Sequence, residues 1–323
     1  MIITLTPNPT VDRVYYLTSL QPNTVNRSTK EVASPSGKGV DVSIILRLLD
    51  APTVALGFNA GRMGEVLTNY LDELDVAHDF VSANGETRTV PILVDQTTGR
   101  EYSIAAPTLS ATPEQLAQLL TRITHHGTSG WGLVAAGSLP PGLPADGYAQ
   151  IISRAKAVGL ITLLDTSGDS LRQGIQSLPH ILKVNQMELA DIDAGFANFA
   201  AQITASSERP AMLLEFALAL GSQLGTLASD AIVISMGKHG VLSVTSQGAT
   251  YAGALNVPVK VTTGAGDAMN TGIMLARMRG EGWQEGLRLG TAMAAAAVMH
   301  EATAGLDLAH VEQLLPQVEV EQL

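Results

Sequence analysis

The stretch LVAAGSLPPGLPADGYAQIISRAKAVGLITLLDTSG, residues 133–168, decides the fold class of this chain. It opens with a short apolar run at 133–136, continues with helical periodicity over 146–158, and returns after Gly159 to a second apolar run at 160–164. A strand, a helix and a second strand in this order are typical of a βαβ unit with parallel strands. We therefore predict an α/β fold with a mostly parallel sheet and helices on both of its faces.

Further apolar runs follow, and polar residues or glycines stand directly after them. The run at 181–184 leads into Asn185, and the run at 231–235 ends just before Gly237. Parallel sheets bind ligands beyond the carboxyl ends of their strands. We therefore expect a functional site at that edge of the sheet.

Two stretches, 11–33 and 86–105, differ from this pattern. They alternate apolar with polar residues and are rich in Thr, Tyr and Val, so we predict one small sheet that projects from the body. Because they are interleaved with the α/β segments, we expect a single domain over 1–323. Residues 193–229 are rich in Ala and Leu and are predicted to be helical.

Composition and charge exclude several classes of protein. Of the 323 residues 46% are apolar and only 15% charged, against about 25% charged in an average domain, which excludes a disordered chain. The net charge of −11 gives no general basic surface for nucleic acid, and the absence of Cys excludes disulfides and thiolate zinc sites. The longest apolar stretch, 289–299, falls short of the about 20 residues of a membrane span, so we expect a cytoplasmic protein.

The segment TTGAGDAMN, residues 262–270, is the first that indicates chemistry. It follows a strand-like run at 257–261 and opens an apolar helical run to Met278. Small residues at 264–266 allow consecutive backbone N–H groups to point at one anion, and a helix N-terminus adds positive charge. Asp267 would then be a carboxylate beside a phosphate, which suits a proton acceptor. It could equally be a helix cap, and the segment alone leaves both interpretations open.

Two other segments carry weaker signals. In SPSGKGVDVS, 34–43, a turn of small residues holds Lys38 ahead of a helix, but the spacing is not that of a Walker P-loop, and a flexible turn with a solvated lysine explains it better. In KVNQME, 183–188, Asn185 and Glu188 could face a Mg²⁺–water–phosphate cluster. An Asn cap with a Glu in the first helical turn is favoured for an isolated occurrence.

Taken together and in order, these motifs resemble the PfkB/ribokinase family of sugar kinases over residues 1–310. The segments that carry the resemblance are 4–12, Gly37-Lys38-Gly39, Thr87-Arg88, 137–140, Asn185 with Glu188, 235–237 and 264–267. Those at 23–27, 85–88 and 164–168 are similar to the branch that phosphorylates sugar phosphates, which includes 1-phosphofructokinase, 6-phosphofructokinase of the PfkB type and tagatose-6-phosphate kinase.

The resemblance implies a ribokinase-like three-layer, doubly wound fold in which the projecting sheet is a lid that also forms a homodimer contact. It implies ATP as phosphoryl donor, Asp267 as catalytic base, Gly264, Ala265 and Gly266 as anion hole, and Mg²⁺ held through water by Asn185 and Glu188. The implied substrate-binding residues are Asp12, Arg27, Gly37, Lys38, Asp41, Arg88 and Ser138, with Lys38, Arg27 and Arg88 around a substrate phosphate. The implied ATP-binding residues are Lys183, Asn185, Ser235 and Gly237.

The chain departs from the family pattern mainly on the acceptor side. Ser36 replaces a Gly, Asp41 replaces an Asn, and Ser103 stands where a phosphate-binding Arg can occur; further departures lie at 59–61, 105–107 and Val184. Asp41 could pair with Lys38 at helical spacing, or it could accept hydrogen bonds from sugar hydroxyls.

Three functions follow from these observations. The first is an ATP-dependent kinase of a sugar phosphate of the tagatose-6-phosphate, fructose-1-phosphate or fructose-6-phosphate type. The second is a kinase of a neutral sugar or nucleoside, for which Asp41 and Ser103 speak. The third is a binding protein that has lost catalysis and acts as a sensor, against which the complete 264–267 segment counts. An oxidoreductase is excluded because no G-x-G-x-x-G follows a strand.

Overall fold

The computed structural model describes residues 1–192 and 209–323. Within them a ten-stranded sheet forms the centre of the molecule. In spatial order its strands are β14 (Val320–Gln322), β13 (Gly248–Ala252), β12 (Val241–Thr245), β11 (Ala231–Ser235), β10 (Ile181–Asn185), β9 (Ile161–Asp165), β8 (Gly132–Ala136), β1 (Ile2–Thr6), β4 (Thr53–Asn59) and β5 (His78–Ser82). The strands from β11 to β5 are parallel, and β12, β13 and β14 extend the sheet antiparallel.

Helices cover both faces of this sheet, as the βαβ pattern predicts. They are α1 (Lys38–Leu48), α2 (Gly61–Glu73), α3 (Pro113–His126), α4 (Gly147–Ala157), α5 (Gly168–Gly174), α6 (Gln186–Ile192), α7 (Arg209–Gly221), α8 (Ala265–Met278), α9 (Trp283–Val298) and α10 (Leu308–Leu314). Alternate strand residues enter different cores: Leu133 packs with α3 and α4 residues, and Val134 packs with α8 and α9 residues. The α/β fold class is therefore confirmed.

The projecting sheet is also confirmed. We call it the lid sheet; its spatial order is β3 (Lys30–Ser36), β2 (Thr10–Leu17), β6 (Arg88–Asp95) and β7 (Arg100–Ser103). The pair β2–β6 is parallel, whereas β2–β3 and β6–β7 are antiparallel. Val14, Tyr16, Ile92 and Val94 form its small core, together with Val261 from the body.

Two predictions of secondary structure need correction. The expected strand at 257–261 is absent: Pro258 has no N–H to donate, and the N–H groups of Lys260 and Val261 donate to the carbonyl of Val298 at the end of α9. The expected helix at 193–229 lies outside the described residues over 193–208; α7 confirms its middle part, and turns follow after Gly221.

The single-domain organisation stays a prediction. None of the helices within 1–192 and 209–323 has the length and apolar character that a membrane span requires.

Candidate active site

A cavity of about 970 Å³ lies where the body and the lid sheet meet. Its lining comes from the ends of β10 and β11, the starts of α1 and α8, and one face of the lid sheet. The structure brings together nearly every residue that the sequence singled out: Asp12, Ser36, Gly37, Lys38, Asp41, Arg88, Ser103, Ser138, Lys183, Asn185, Glu188, Ser235, Gly237, Gly264, Ala265, Gly266 and Asp267.

Arg27 does not join this set. It is exposed in the turn between β2 and β3 and does not line the cavity. The turn closes on itself, because the Asn26 side chain accepts from the N–H of Gln21 at 2.8 Å and donates to its carbonyl at 2.8 Å. The expectation of three cations from Arg27, Lys38 and Arg88 around one phosphate therefore does not match the structure.

The start of α8 has the form of an anion site. Gly264 adopts a φ of +93°, and a Cβ there would lie 2.0 Å from the carbonyl oxygen of Thr303, so only glycine fits. Within the described residues the N–H of Gly266 donates to no acceptor. A Cβ on Gly266 would lie 3.0 Å from Nζ of Lys183, which places an ammonium group next to this free N–H. The backbone and the lysine together can hold an anionic phosphoryl group.

Asp267 lies in the first turn of α8 with 6% of its surface exposed. A capping aspartate would accept a hydrogen bond from a backbone N–H group. The carboxyl group of Asp267 accepts from none in the described residues, and its Oδ1 is buried without a partner. Burial raises its pKa to about 7, against the opposing charge of Lys38. The geometry favours a proton acceptor over a helix cap.

A buried ion-pair cluster joins two of the predicted site residues, Lys38 and Lys183, to an aspartate for which the sequence predicted no role. Its centre is Asp165 at the end of β9, which accepts from Nζ of Lys183 at 2.9 Å, from Nδ2 of Asn270 at 2.7 Å and from Nζ of Lys38. Burial alone would raise the pKa of Asp165, but Lys183 and Lys38 outweigh it and hold the pKa below its usual range. Its position directly after a buried apolar strand was the available signal.

Lys38 is neither a solvated lysine nor a partner of Asp41. Besides Asp165 it faces Oε1 of Glu188 at 3.5 Å. Burial would lower the pKa of Lys38, but Asp165 and Glu188 raise it above its usual value. Asp41, on the same helix, points elsewhere: its Oδ2 accepts from Oγ of Ser36 at 3.2 Å. The interpretation that Asp41 orients Lys38 is wrong.

Asn185 and Glu188 form a reciprocal cap at the start of α6. Asn185 Oδ1 accepts from the N–H groups of Met187 and Glu188 at 2.8 and 2.9 Å, and Glu188 Oε2 accepts from the N–H of Asn185 at 2.8 Å. The favoured interpretation of this motif as a helix start is therefore what the structure shows. Glu188 Oε1 still faces the cavity beside Lys38, and it is the oxygen that could receive a metal-bound water.

On the acceptor side, several polar atoms have no protein partner. Arg88 Nε and Asp12 Oδ1 are both buried without one in the described part of the chain. Burial raises the pKa of Asp12 and lowers that of Arg88, and the two groups are close enough to attract each other. Ser138 Oγ accepts from Nδ2 of Asn8 at 3.0 Å. These groups are available to a ligand with both hydroxyl and anionic groups.

The opposite end of the cavity is mostly apolar. Ser235 and Gly237 lie there, and a buried hydroxyl, Thr291 Oγ1, has no partner among the described residues. The apolar lining residues at this end are Leu255, Val257, Ala294, Ala295 and Val298. A flat apolar group with a few polar atoms, such as a nucleotide base, suits this surface.

Sequence reasoning also missed a link between the lid sheet and the anion site. Glu101 on β7 accepts from the N–H and Oγ1 of Thr262 at 2.8 and 3.0 Å, and from Oγ1 of Thr263 at 2.5 Å. Thr263 directly precedes Gly264. No spacing in the sequence connects Glu101 with Thr262, since 161 positions separate them.

Comparisons with known proteins agree with this geometry. The profile of the pfkB family carbohydrate kinases matches residues 6–308. The chain is 29% identical to 1-phosphofructokinase of Bacillus subtilis, with both chains covered completely, and 27% identical to tagatose-6-phosphate kinase of Staphylococcus epidermidis, with 99% of each covered. Phosphofructokinase-2 from Escherichia coli, crystallised with substrates and products, superposes with a TM-score of 0.85 at 25% identity over 98% of each chain. The chain therefore belongs to the pfkB family of carbohydrate kinases, as its motifs indicate, and is an ATP-dependent carbohydrate kinase.

Proposed function

We propose that this kinase transfers the γ-phosphoryl group of ATP to a hydroxyl group of a sugar phosphate, with Asp267 as the general base. The observation that carries the proposal is the position of Asp267. Its carboxyl group is buried, does not cap the helix, and lies between the free N–H of Gly266 and the polar acceptor side of the cavity. A base at this place can take the proton of the attacking hydroxyl. The backbone N–H groups and Lys183 stabilise the charge of the transferring group.

The residues present suit ATP with a divalent metal ion. The free Gly266 N–H and the Lys183 ammonium can receive phosphate oxygens, and the apolar end of the cavity can receive the base. Glu188, through Oε1, and Asn185 would hold Mg²⁺ through water, and the ion would neutralise phosphate charge. Direct coordination by both side chains is disfavoured, because Asn185 Oδ1 and Glu188 Oε2 are engaged in the helix cap.

The acceptor is proposed to carry a phosphate because of Arg88. Its guanidinium is partly buried in the cavity wall, and its Nε lacks a partner in the described part of the chain. Burying a cation is costly unless a ligand supplies the opposite charge. The two relatives named above are called kinases of sugar phosphates, and we extend that acceptor class to this chain.

A neutral sugar or nucleoside is the second candidate acceptor. Its support is electrostatic: Lys38 is already paired with Asp165 and Glu188, and Arg27 lies outside the cavity. Asp12 and Asp41 line the acceptor side and would repel a dianion if both were ionised. The carboxyl groups would instead accept hydrogen bonds from hydroxyl groups.

A panel of acceptors tests both candidates directly. ADP release is measured with tagatose 6-phosphate, fructose 1-phosphate, fructose 6-phosphate and their unphosphorylated sugars, together with nucleosides. We expect kcat/KM to be highest for one of the phosphorylated sugars. Activity confined to neutral acceptors would favour the second candidate, and calorimetric binding of ATP without turnover of any acceptor would favour a sensor.

We also propose that the lid sheet forms a homodimer contact. Three apolar side chains of this region remain exposed, namely Val25, Tyr102 and Ile104, at 75%, 40% and 52%. A second copy that packs against them would remove this surface from water. Analytical ultracentrifugation of the wild type and of Ile104→Glu tests the proposal. A wild type that sediments as a monomer at micromolar concentration would contradict it.

A further inference from the structure

The ammonium group of Lys183 reaches the anion site through space that Gly266 leaves open. A Cβ on Gly266 would lie 3.0 Å from Nζ of Lys183, so any other residue at this position would crowd the ammonium group. Lys183 is buried near the end of β10, whereas Gly266 lies in the first turn of α8. A lysine side chain is long and flexible. Its direction toward Gly266 therefore depends on a partner that holds the ammonium group in place.

Asp165 is that partner, and its two carboxylate oxygens bind groups from different elements. Oδ1 accepts from Nζ of Lys38 on α1. Oδ2 accepts from Nζ of Lys183 at 2.9 Å and from Nδ2 of Asn270 at 2.7 Å. The direction of Oδ2 is thus set by Lys183 and Asn270 together.

Asn270 connects this carboxylate back to the helix that carries the anion site. Gly266 and Asn270 are four positions apart on α8 and lie on the same face of that helix. Side chains on a helix lean toward its N-terminus, so the amide of Asn270 is directed toward the turn that contains Gly266. The series of neighbours from Gly266 through Lys183 and Asp165 to Asn270 therefore begins and ends on α8.

The amide group of Asn270 is buried for the sake of this one interaction. The residue is fully buried, and Ala268 and Ile273 beside it on α8 are buried apolar residues. Only the NH₂ group of the amide can face a carboxylate, because a carboxylate has acceptors only. Within the described residues Oδ1 of Asn270 has no partner, and the hydrogen bond to Asp165 is the one that its side chain makes. An unsatisfied buried oxygen is costly, so this hydrogen bond is what offsets the burial of the amide.

We infer that Asn270 is a positioning residue of the kinase reaction: it holds the carboxylate of Asp165 in the orientation that directs Lys183 to the anion site. The inference rests on the proposed role of that site, which is to receive the transferring phosphoryl group. Asn270 does not line the cavity, so it acts on the reaction only through Lys183. Without its amide, Oδ2 of Asp165 loses one of its two donors, and Lys183 can follow the carboxylate away from Gly266.

Asn270→Leu tests this role, because leucine has a similar size and no hydrogen-bond donor. We expect kcat to fall about tenfold, the lower end of what a hydrogen bond to a charged group contributes, since Asn270 acts through other residues. KM for the acceptor should stay nearly constant, because the acceptor side of the cavity is unchanged. Asn270→Ser takes its place if the leucine variant does not fold, because the serine hydroxyl ends one bond short of the amide nitrogen and also loses the direct contact. Wild-type kcat in the folded variant would overturn the inference.

A double-mutant cycle with Lys183→Met shows whether Asn270 acts through Lys183. If it does, Asn270→Leu should lower kcat about tenfold in the wild type and have almost no further effect in the Lys183→Met background. Similar losses in both backgrounds would indicate a general structural effect and contradict the inference.

Lys183→Met alone separates this inference from the proposed function. If Lys183→Met lowers kcat and Asn270→Leu does not, the anion site keeps its proposed role and only the inference fails. If Lys183→Met itself leaves kcat unchanged, the anion site does not receive the transferring group, and the proposed function fails together with the inference.

Thr162→Val is the matched control for the loss of a buried hydrogen bond. Thr162 is fully buried on β9, the strand that ends at Asp165, and its hydroxyl accepts from the N–H of His180 at 3.1 Å, outside the cavity lining. This variant should unfold at a lower urea concentration than the wild type and keep the wild-type kcat. If Thr162→Val lowered kcat as much as Asn270→Leu, the effect at Asn270 would be one of stability, and the positioning role would be refuted.

Discussion

The two halves of the cavity are built differently. The proposed phosphoryl-transfer half combines backbone N–H groups at the start of α8 with the side chains of Asp267 and Lys183, and Gly264 leaves no room for another residue. The acceptor half consists of side chains from the lid sheet and α1, several of which, such as Arg88 Nε and Asp12 Oδ1, have no protein partner among the described residues. We therefore expect the first half to carry the reaction and the side chains of the second half to determine which acceptor is used. The departures from the family pattern fall mainly on the acceptor half, with Val184 as an exception.

The largest effect is expected at Asp267. Asp267→Asn removes the proposed base and should lower kcat by about 10²–10⁴-fold, because general-base catalysis typically contributes that much. Binding of ATP, measured by calorimetry, should change little. Burial raises the pKa of this carboxyl group to about 7, so kcat/KM of the wild type should rise with pH through this value as the base ionises.

Asp307 offers the matched control for Asp267. It also lies at a helix start, and its carboxyl group accepts from the N–H of Ala309 at 2.9 Å, as a cap does. Asp307→Asn should keep wild-type turnover. If Asp267→Asn retained more than a tenth of wild-type kcat, Asp267 would not be the general base and the contrast between the two aspartates would disappear.

The next effect concerns the contribution of the Asp165 ion pairs to the stability of the protein. Asp165→Asn leaves the buried ammonium group of Lys183 and the half-buried one of Lys38 without their shared counterion, and we expect a loss of about 3–5 kcal/mol in the free energy of unfolding. Lys183 and Lys38 hold the pKa of Asp165 below its usual range against the effect of burial. Its contribution is therefore complete above the unfolded pKa of about 3.9 and is lost as pH falls below it.

Urea unfolding at pH 7 and pH 3 measures this difference. Asp169→Asn is the control, because Asp169 is an exposed partner of Arg172 and such surface substitutions change stability by less than about 0.5 kcal/mol. The ion pairs of Asp165 would contribute nothing if Asp165→Asn and Asp169→Asn unfolded at the same urea concentration.

Arg88 tests the acceptor half. Arg88→Ala should raise KM for a phosphorylated acceptor about ten- to a hundredfold, since a charge-assisted hydrogen bond contributes about 1.5–3 kcal/mol. KM for ATP should stay nearly constant. Arg13→Ala is the control: Arg13 lies on the same sheet but pairs with Glu31 at 2.6 Å outside the cavity lining. An equal rise of both KM values in Arg88→Ala would mean that this residue holds the lid sheet and does not bind phosphate.

The difference between the two halves also explains how much of the fold and of the site could be predicted from the sequence. The 264–267 segment and its helix were predictable because strand ends, small residues and helix starts are local patterns. The mostly parallel sheet and the lid stretches followed from hydrophobic periodicity. The prediction of a strand at 257–261 was wrong because Val261 packs into the core of the lid sheet and donates its N–H to Val298 at the end of α9, without pairing to a strand.

The interaction partners of the charged side chains could not be predicted from the sequence. Lys38 and Asp41 have helical spacing, yet Lys38 pairs with Asp165, 127 positions away, and Asp41 accepts a hydrogen bond from Ser36. Arg27 has the charge that a phosphate site needs, but its turn folds back through Asn26. Charge type is visible in a sequence, whereas the direction of a long side chain depends on tertiary packing.

The smallest effect is expected where the two halves meet, at Glu101. This lid residue accepts three hydrogen bonds from Thr262 and Thr263, just before the anion site. Glu101→Gln keeps the size of the side chain but removes its charge, and it replaces one acceptor oxygen by an amide that cannot accept. Because the contact is partly exposed, we expect kcat at saturating substrates to fall only about two- to tenfold, equivalent to about 0.5–1.5 kcal/mol.

Glu31→Gln separates this link from general weakening of the lid sheet. Glu31 lies on β3 and pairs with Arg13 within the same sheet, at 2.6 Å. If the lid sheet orders the loop before Gly264 through Glu101, only Glu101→Gln should lower kcat, and its effect should appear with every acceptor, because the altered loop belongs to the transfer half. Equal effects of both variants would instead mean that the two halves are coupled through the lid sheet as a whole. An effect that depends on the acceptor would place Glu101 functionally with Arg88.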